Sequence, residues 1–323
     1  MRELEQLQEI AIKIIEEENF LTSPKNLYQP IDYAMHQGGK RVRPLLALMA
    51  ADLFSGDIEK AKPVAIAIEV LHNFTLLHDD IMDKSPLRRG KPTVYNKYDT
   101  NTAILSGDTM FAKAFTYLLK AEKNQIHDLV EAFTNASIEV CEGQAMDICF
   151  EERDDVRIEE YIEMIRLKTG VLLATALKLG AITAKASKED IDNLYSFGLN
   201  IGIAFQLQDD ILDCWSNLED FGKVTGTDIA DNKKTFLYLK ALETGSKEER
   251  EELLYLYSNP VETQTKQERV KAIYEKLNIR SISKDLMNIY NEKAKYSLEK
   301  IAVKDDNKTN LIKFADKLML RNK

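Results

Sequence analysis

Apolar residues recur every three to four positions along most of the chain, which is the spacing of a helix with one buried face. The pattern predicts helices over roughly 3–20, 42–54, 62–83, 101–121, 126–150, 158–182, 188–215, 233–256, 263–278 and 285–320. No run shows the strict alternation of a half-buried strand. Several predicted helices exceed twenty residues and are joined by short connections. We therefore predict an all-α protein, a single large helical bundle over 1–323 with a central cavity.

Two acidic pentads of identical pattern lie 130 residues apart, each at the end of an apolar run. They are Asp79-Asp80-Ile81-Met82-Asp83 and Asp209-Asp210-Ile211-Leu212-Asp213. The first and fifth positions of such a pentad share one face of a helix, where like charges repel and require a cation. Carboxylate oxygens suit Mg²⁺, which commonly binds substrate phosphates as well. The pentads therefore predict a diphosphate held between two helices.

Two segments resist a helical interpretation, and each directly follows a pentad. The segment 85–93 contains Pro86, Gly90 and Pro92, and the segment 220–232 contains Gly222 and Gly226. Loops of this kind beside a ligand site can close over a bound substrate.

Short basic clusters accompany these loops. They are Lys40-Arg41-Val42-Arg43 after Gly38-Gly39, Arg88-Arg89, Lys168 with Thr169, Lys223, and Lys233-Lys234. A single basic cluster is usually a solvated surface. Twice, however, a carboxylate pentad is followed by a glycine-containing basic loop, an arrangement suited to holding diphosphates through both metal ions and direct hydrogen bonds.

The composition of the chain restricts the classes of partner that it can bind and the compartment expected for it. The 323 residues carry a net charge of −9, which argues against nucleic acid or an anionic membrane surface as the main partner. Three cysteines without CxxC spacing favour a reduced, cytoplasmic protein. The charged N-terminus predicts no export signal, and the polar residues within 191–214 argue against an integral membrane protein.

The ordered set of these motifs closely resembles the trans-isoprenyl diphosphate synthases, the polyprenyl synthetase family. The resemblance spans about residues 36 to 240. The motifs that carry it, with their flanking residues, are Gly38–Pro44, His78–Asp83 with Arg88-Arg89-Gly90, Lys168-Thr169-Gly170, Phe205–Asp213, and Gly222-Lys223 with Asp228 and Lys233. It implies the all-α isoprenoid synthase fold, Mg²⁺ ions, three of them with bound diphosphate, and a homodimer.

The resemblance also implies roles for individual residues. The principal Mg²⁺ ligands would be Asp79, Asp83 and Asp209, supported by Asp80, Asp210 and Asp213. Isopentenyl diphosphate would be bound by Lys40, Arg43, His72 and Arg89. The allylic diphosphate side would comprise Arg88, Lys168, Thr169, Gln206, Lys223 and Lys233. Arg41 receives no ligand in this scheme.

The implied reaction is ionisation of an allylic diphosphate, attack on the carbocation by isopentenyl diphosphate, and loss of a proton. Growth of the product would be stopped by a bulky side chain about 7.5 Å below Asp79 along the helix, at 1.5 Å per residue. Phe74 stands there, followed by Thr75. By resemblance, these residues predict a geranylgeranyl (C20) synthase, with a farnesyl (C15) synthase as the alternative.

Three rival interpretations fit less well. A class I terpene cyclase would replace the second pentad and need no isopentenyl diphosphate site. A di-iron bundle needs two Glu-x-x-His pairs, whereas Glu69–His72 is the only one in this sequence. A non-catalytic regulatory subunit would be expected to have lost a pentad or a basic anchor, and none is missing.

Overall fold

The computed structural model describes residues 2–54, 56–216 and 225–319, and these residues are mostly helical. The helices are α1 (Leu4–Glu16), α2 (Lys25–Met35), α3 (Val42–Leu53), α4 (Ile58–Met82), α5 (Val94–Lys97), α6 (Thr100–Leu118), α7 (Ile126–Glu152), α8 (Ile158–Ile165), α9 (Val171–Thr183), α10 (Lys188–Trp215), α11 (Thr227–Ala230), α12 (Phe236–Thr244), α13 (Lys247–Ser258), α14 (Thr263–Lys276), α15 (Ile279–Glu299) and α16 (Asp305–Met319). A π-helical turn, Arg166–Gly170, joins α8 to α9. Strands β1 (Leu87–Arg88) and β2 (Lys91–Pro92) form one antiparallel hairpin. No described helix combines the length and apolar character needed to span a membrane.

The observed helices differ in a few places from those predicted by the spacing of apolar residues. The periodicity missed α2, whose 11 residues include an internal proline. It also joined α12 to α13 across Gly245, and α15 to α16 across 300–304. The helix α4 begins at Ile58, four residues before its predicted start, because the Asp57 side chain caps it by accepting the N–H of Glu59. Pro63 consequently lies inside α4.

The chain divides into two compact units. The first comprises Met1–Ser137, Leu172–Tyr195 and Lys300–Leu311, and the second comprises Ile138–Val171, Ser196–Glu299 and Ile312–Lys323. The expectation of one domain over 1–323 stays a prediction.

The first unit is built around α4. Every residue from Val64 to Leu71 is buried, as in a helix covered on all sides, and α3 and α6 pack against it. The helix α9 approaches α3 so closely that a Cβ on Gly180 would lie 2.0 Å from the carbonyl oxygen of Ala47. This packing fixes the middle of α4, whose C-terminal end carries the first pentad.

The second unit has its own apolar core. Side chains from α8, α10, α12, α13, α14 and α15 form it, among them Tyr161, Leu207, Leu253 and Tyr274. A Cβ on Gly202 of α10 would lie 2.4 Å from the Cα of Gly170, so only glycine permits this approach to the π-helical turn. The GxxxG spacing at 198–202 thus marks a close helix contact at Gly202, placing the turn beside the helix of the second pentad.

Candidate active site

The first pentad forms the C-terminal turn of α4. Asp83 is the C-cap residue, and its N–H donates to the carbonyl of Asp79 at 2.8 Å. Asp79 and Asp83 are therefore one helical turn apart, as the sequence predicts. Asp80 lies on a different side of the turn and is buried, with 4% of its surface exposed.

Arg88 binds this buried carboxylate. Its Nε and Nη2 lie 2.8 and 2.7 Å from Oδ1 of Asp80. Burial raises the pKa of Asp80, and the arginine opposes that shift. The segment 85–93 is thus an ordered hairpin rather than an open loop, and Arg88, predicted on the allylic side, contacts the first pentad.

Arg89 and Gly90 form the hairpin turn, and both have positive φ, 53° and 73°, as a two-residue hairpin turn requires. The Arg89 side chain reaches back to donate to the carbonyl of Gly38. A Cβ on Gly39, whose φ is 118°, would lie 2.7 Å from the Arg89 Cζ. The left-handed backbone at 39 favours glycine, and a side chain there would displace the Arg89 guanidinium from this position.

Three residues predicted to bind isopentenyl diphosphate, Arg43, His72 and Arg89, form a basic cluster in the first unit. Burial, with Arg89 nearby, lowers the pKa of Arg43 to about 10, while Glu69 opposes the change. Burial, Arg43 and Arg89 lower the pKa of His72 well below its usual range. Within the described residues the buried Nε of Arg43 has no hydrogen-bond partner. An unsatisfied buried donor costs about 1–3 kcal/mol, which an anionic ligand here would offset. Lys40 precedes this cluster at an exposed position.

Phe74 belongs to α4, five residues before the pentad, and its ring contacts α6. Its ring centroid is 4.8 Å from that of His78 and 5.3 Å from that of Phe111 on α6. Phe111 in turn contacts Phe115 at 5.4 Å. The adjacent Thr75 hydroxyl donates to the carbonyl of His72 at 2.9 Å, within its own helix. A line of aromatic rings therefore extends from Phe74 along α6.

Lys168 and Lys233 share one carboxylate in the second unit. Their Nζ atoms lie 2.6 and 3.4 Å from Oδ2 of Asp147, and Lys233 also binds Glu151 at 2.6 Å. Although burial opposes it, the two lysines hold the pKa of Asp147 below its usual range. The structure thus brings together two lysines that are 65 residues apart in sequence.

A chain of hydrogen bonds connects the π-helical turn to the second pentad. The Thr169 hydroxyl donates to Gln206 Oε1 at 3.0 Å, and Gln206 Nε2 donates to Asp210 Oδ1 at 3.1 Å. The Tyr161 hydroxyl donates to the other oxygen of Asp210. Burial raises the pKa of Asp210 to about 7, and Asp209 adds to the shift.

Asp213 anchors the segment that follows α10. Its Oδ1 accepts from the Thr227 hydroxyl at 2.7 Å, and its Oδ2 accepts from the N–H of Asp228 at 3.1 Å. Burial, reinforced by Asp210 and Asp213, raises the pKa of Asp228 well above its usual range. Part of the predicted 220–232 loop is thus the short helix α11, while Lys223 lies outside the described residues.

The donors at both pentads fit Mg²⁺. Each offers several carboxylate oxygens within one helical turn, the ligand type that Mg²⁺ prefers. Burial raises the pKa of Asp210 and of Asp228, and a bound cation would favour the ionised form of each. Among the described residues, three ligand atoms within 4.8 Å of one another are found not at a pentad but at His127, Asp128 and Glu131, an exposed group of a kind that is common without a metal.

Sequence reasoning missed Asp147 and Tyr161, which contact predicted site residues directly. One sequence signal for Asp147 was available: Gly143 stands one turn earlier in the middle of the long helix α7. A Cβ there would lie 2.5 Å from the backbone nitrogen of Lys168, so the glycine marks where α7 meets the π-helical turn. Gln144 is also buried, and its amide has no partner among the described residues.

The family profile that describes the polyprenyl synthetases matches residues 24–277 of this chain. The chain belongs to the polyprenyl synthetase family. This match confirms the resemblance inferred from the motifs, and the helical architecture confirms the predicted all-α class.

Relatives of this polyprenyl synthetase match over most of its length. It is 41% identical over 252 residues to the short chain isoprenyl diphosphate synthase of Methanothermobacter thermautotrophicus, covering 78% of each chain. It is 40% identical over 256 residues to the geranylfarnesyl diphosphate synthase of Natronomonas pharaonis, covering 74% of this chain and 75% of the other. A crystal structure of a geranylgeranyl pyrophosphate synthase aligns with a TM-score of 0.95 and 41% identity, covering 99% of each chain.

Proposed function

We propose that this polyprenyl synthetase is a short-chain trans-prenyltransferase, which condenses isopentenyl diphosphate with allylic diphosphates to make geranylgeranyl diphosphate (C20). The observation that carries the proposal is the basic cluster of Arg43, His72 and Arg89. An enzyme that only ionises and cyclises one diphosphate needs no second anion site, whereas a condensing enzyme must hold two. The unsatisfied Nε of Arg43 supports a ligand at this cluster.

The pentads would hold three Mg²⁺ ions, with Asp79, Asp83 and Asp209 as principal ligands. The existing bonds of Asp80 to Arg88, of Asp210 to Tyr161 and of Asp213 to α11 support a secondary role for those three carboxylates. When bound, Mg²⁺ neutralises the charge that develops on the departing diphosphate.

The remaining residues would act on the substrates directly. Lys168 and Lys233, with Lys223, would donate to the allylic diphosphate as its C–O bond breaks. Thr169 and Gln206, already aligned by their mutual hydrogen bond, would direct oxygen dipoles at the allylic carbocation. The double bond of isopentenyl diphosphate then forms the new C–C bond, and the proton lost from the adduct passes to the released pyrophosphate.

Product length is assigned to Phe74, whose position over Phe111 supports a short-chain product. Farnesyl diphosphate (C15) is the alternative product if these rings close the cavity one isoprene unit earlier. The Natronomonas relative carries the name of a synthase of a longer product, so the same test must resolve C25 as well.

The deciding experiment is incubation with Mg²⁺, isopentenyl diphosphate and each of the C5, C10 and C15 allylic diphosphates, followed by mass analysis of the products. Accumulation of C20 from every primer is the expected result. C15 or C25 as the end product would reject the chain-length assignment alone. No consumption of any substrate pair would instead favour a non-catalytic regulatory subunit.

We also propose, from the family resemblance, a cytoplasmic homodimer. Light scattering during gel filtration measures the mass in solution. A particle of twice 36.9 kDa is expected, and a monomer would reject the dimer.

A further inference from the structure

Arg41 lies inside the most basic motif of the chain, yet the assigned substrate contacts leave it without a role. It is the N-cap residue of α3 and has a left-handed backbone, with φ of 48°. Its side chain is buried, unlike the exposed Lys40 beside it. A long charged side chain is not held buried in this way without a specific partner.

Its partner is Glu69, in the fully buried stretch of α4. Arg41 Nη1 lies 2.7 Å from Glu69 Oε1, and both side chains are 3% exposed. The other guanidinium nitrogen donates to the carbonyl of Met35, the last residue of α2. Asn73 supports the acid, since its Nδ2 lies 3.3 Å from the same Oε1. One ion pair therefore connects the end of α2, the start of α3 and the middle of α4.

The connected elements carry the proposed isopentenyl diphosphate ligands. Lys40 and Arg43 are one residue before and two residues after Arg41, and His72 is three residues after Glu69. Positions three apart on a helix are neighbours on its surface. Glu69 is also the acid whose charge raises the pKa of Arg43 and of Arg89 against the effect of burial. The pair thus interacts electrostatically with the basic cluster.

We propose that Arg41 and Glu69 are positioning residues, which set Lys40, Arg43 and His72 at the spacing that binds the diphosphate of isopentenyl diphosphate. This inference rests on the proposed function, because it assigns a determinant of affinity to one of its two substrate sites. Neither residue contacts the substrate. Their loss should weaken isopentenyl diphosphate binding while leaving the allylic substrate unaffected.

The test uses three variants of the full chain: Arg41→Asn, Glu69→Gln and the double variant. Asparagine tolerates the left-handed backbone at 41, and glutamine keeps the shape of the acid without its charge. Each single variant leaves one buried charged group without its partner, so its melting temperature should fall. The double variant removes both charges of the pair and should regain much of that loss, which allows its kinetics to be measured on folded protein.

The expected result for the double variant is a KM for isopentenyl diphosphate raised on the order of tenfold or more, the scale on which misplacement of binding groups acts. The KM for the allylic diphosphate and the rate of its hydrolysis without isopentenyl diphosphate should stay near wild type. The control is Asp52→Asn, which breaks another ion pair of α3, with Arg2 at 2.7 Å, at the opposite end of that helix. It should lower stability without changing either KM.

Two results would overturn the inference: an unchanged KM for isopentenyl diphosphate in the folded double variant, or equal increases in both KM values. Calorimetric titration of the wild-type protein with isopentenyl diphosphate alone separates these outcomes from a failure of the proposed function. A wild-type protein that neither binds nor consumes isopentenyl diphosphate would reject the function and the inference together. Normal wild-type turnover with unaffected variants would reject the inference alone.

Discussion

The two acidic pentads have the same spacing of carboxylates, but different groups bind the buried second carboxylate of each. Asp80 is bound by the guanidinium of Arg88, which the following hairpin supplies. Asp210 is bound by two neutral donors, the Tyr161 hydroxyl and the Gln206 amide. The first pentad therefore has a cation of its own close to its buried member, and the buried member of the second is held by dipoles.

This difference bears on what each pentad needs in order to stay ionised. A guanidinium favours the charged carboxylate, and neutral donors offset burial only in part. Burial raises the pKa of both carboxyls: that of Asp80 rises despite Arg88, and that of Asp210 rises to about 7. We infer that the second pentad depends more strongly on a bound cation than the first, although the sequence pattern is the same.

The largest expected effect comes from removing the first carboxylate of each pentad. Asp79→Ala and Asp209→Ala should each lower turnover by at least about 100-fold, because each removes a proposed metal ligand that stabilises the leaving diphosphate. Steady-state kinetics, with circular dichroism to verify folding, measure the effect. The matched control Asp128→Ala, in the exposed acidic group, should leave turnover unchanged. Near-normal turnover in either pentad variant would break the assignment of both as metal sites.

The two helices that carry the pentads differ in the size of the side chain five residues before the motif, and we expect only the first helix to set the product length. Five residues before the first pentad stands Phe74, while the equivalent position before the second is the small Ala204. Phe74→Ala should lengthen the product by one or more five-carbon units, detected by mass. Tyr117→Phe removes only a hydroxyl from α6 and should leave the product unchanged. If Phe74→Ala also leaves it unchanged, another element stops the growing chain.

Proton release on metal binding sharpens the comparison further. Burial raises the pKa of Asp210, so Mg²⁺ binding, which favours the ionised carboxylate, should release protons from Asp210 near neutral pH. Calorimetry in buffers of different ionisation enthalpy counts these protons. Asp210→Asn should remove this release, and Asp80→Asn should change it less because Arg88 favours the ionised form. Equal effects of the two variants would contradict the proposed difference.

The smallest expected effect is on the pH dependence of stability, and it comes from His72, which has no counterpart before the second pentad. His72 lies seven residues before Asp79, where the second pentad has Gly202. Since the folded pKa of His72 is depressed, the unfolded chain binds a proton that the folded chain does not, between that pKa and about 6.5. Its contribution to stability is therefore lost as pH falls through this window, at no more than about 1.4 kcal/mol per pH unit.

Denaturant unfolding of metal-free protein between pH 5 and 7.5 measures this slope. His72→Gln should flatten it, whereas the exposed His127→Gln should not. Equal slopes for the wild-type protein and His72→Gln would show that His72 titrates alike in both states.

The long helices could be predicted from the sequence because periodicity is a local signal, and motif spacing allowed candidate site residues to be named. The π-helical turn was not predictable: over five residues a π-helical period cannot be separated from an α-helical one, and the turn lies in tertiary contact with Gly202. The break before α16 likewise depends on a distant partner, since Asp190 accepts the N–H of Ala302 at 2.7 Å.

Side-chain partners were the least predictable part of the candidate site. Nothing in the local sequence indicates that Arg88 binds Asp80, that Tyr161 binds Asp210, or that two lysines meet at Asp147. Such pairs are decided by which helix faces pack together, and the spacing of a motif contains no information on that. The motifs therefore identified candidate site residues, but not the side-chain contacts that these residues make with one another.

The contact between Gly170 and Gly202 limits how this enzyme can diverge. A methyl group at 202 would require the turn bearing Lys168 and Thr169 to move, so a substitution there cannot be accepted alone. We expect lineages that acquire a side chain at 202 to have rebuilt the turn as well, so that these two sites co-vary. Related sequences that keep glycine at both positions should thus also keep this arrangement of Lys168 and Thr169.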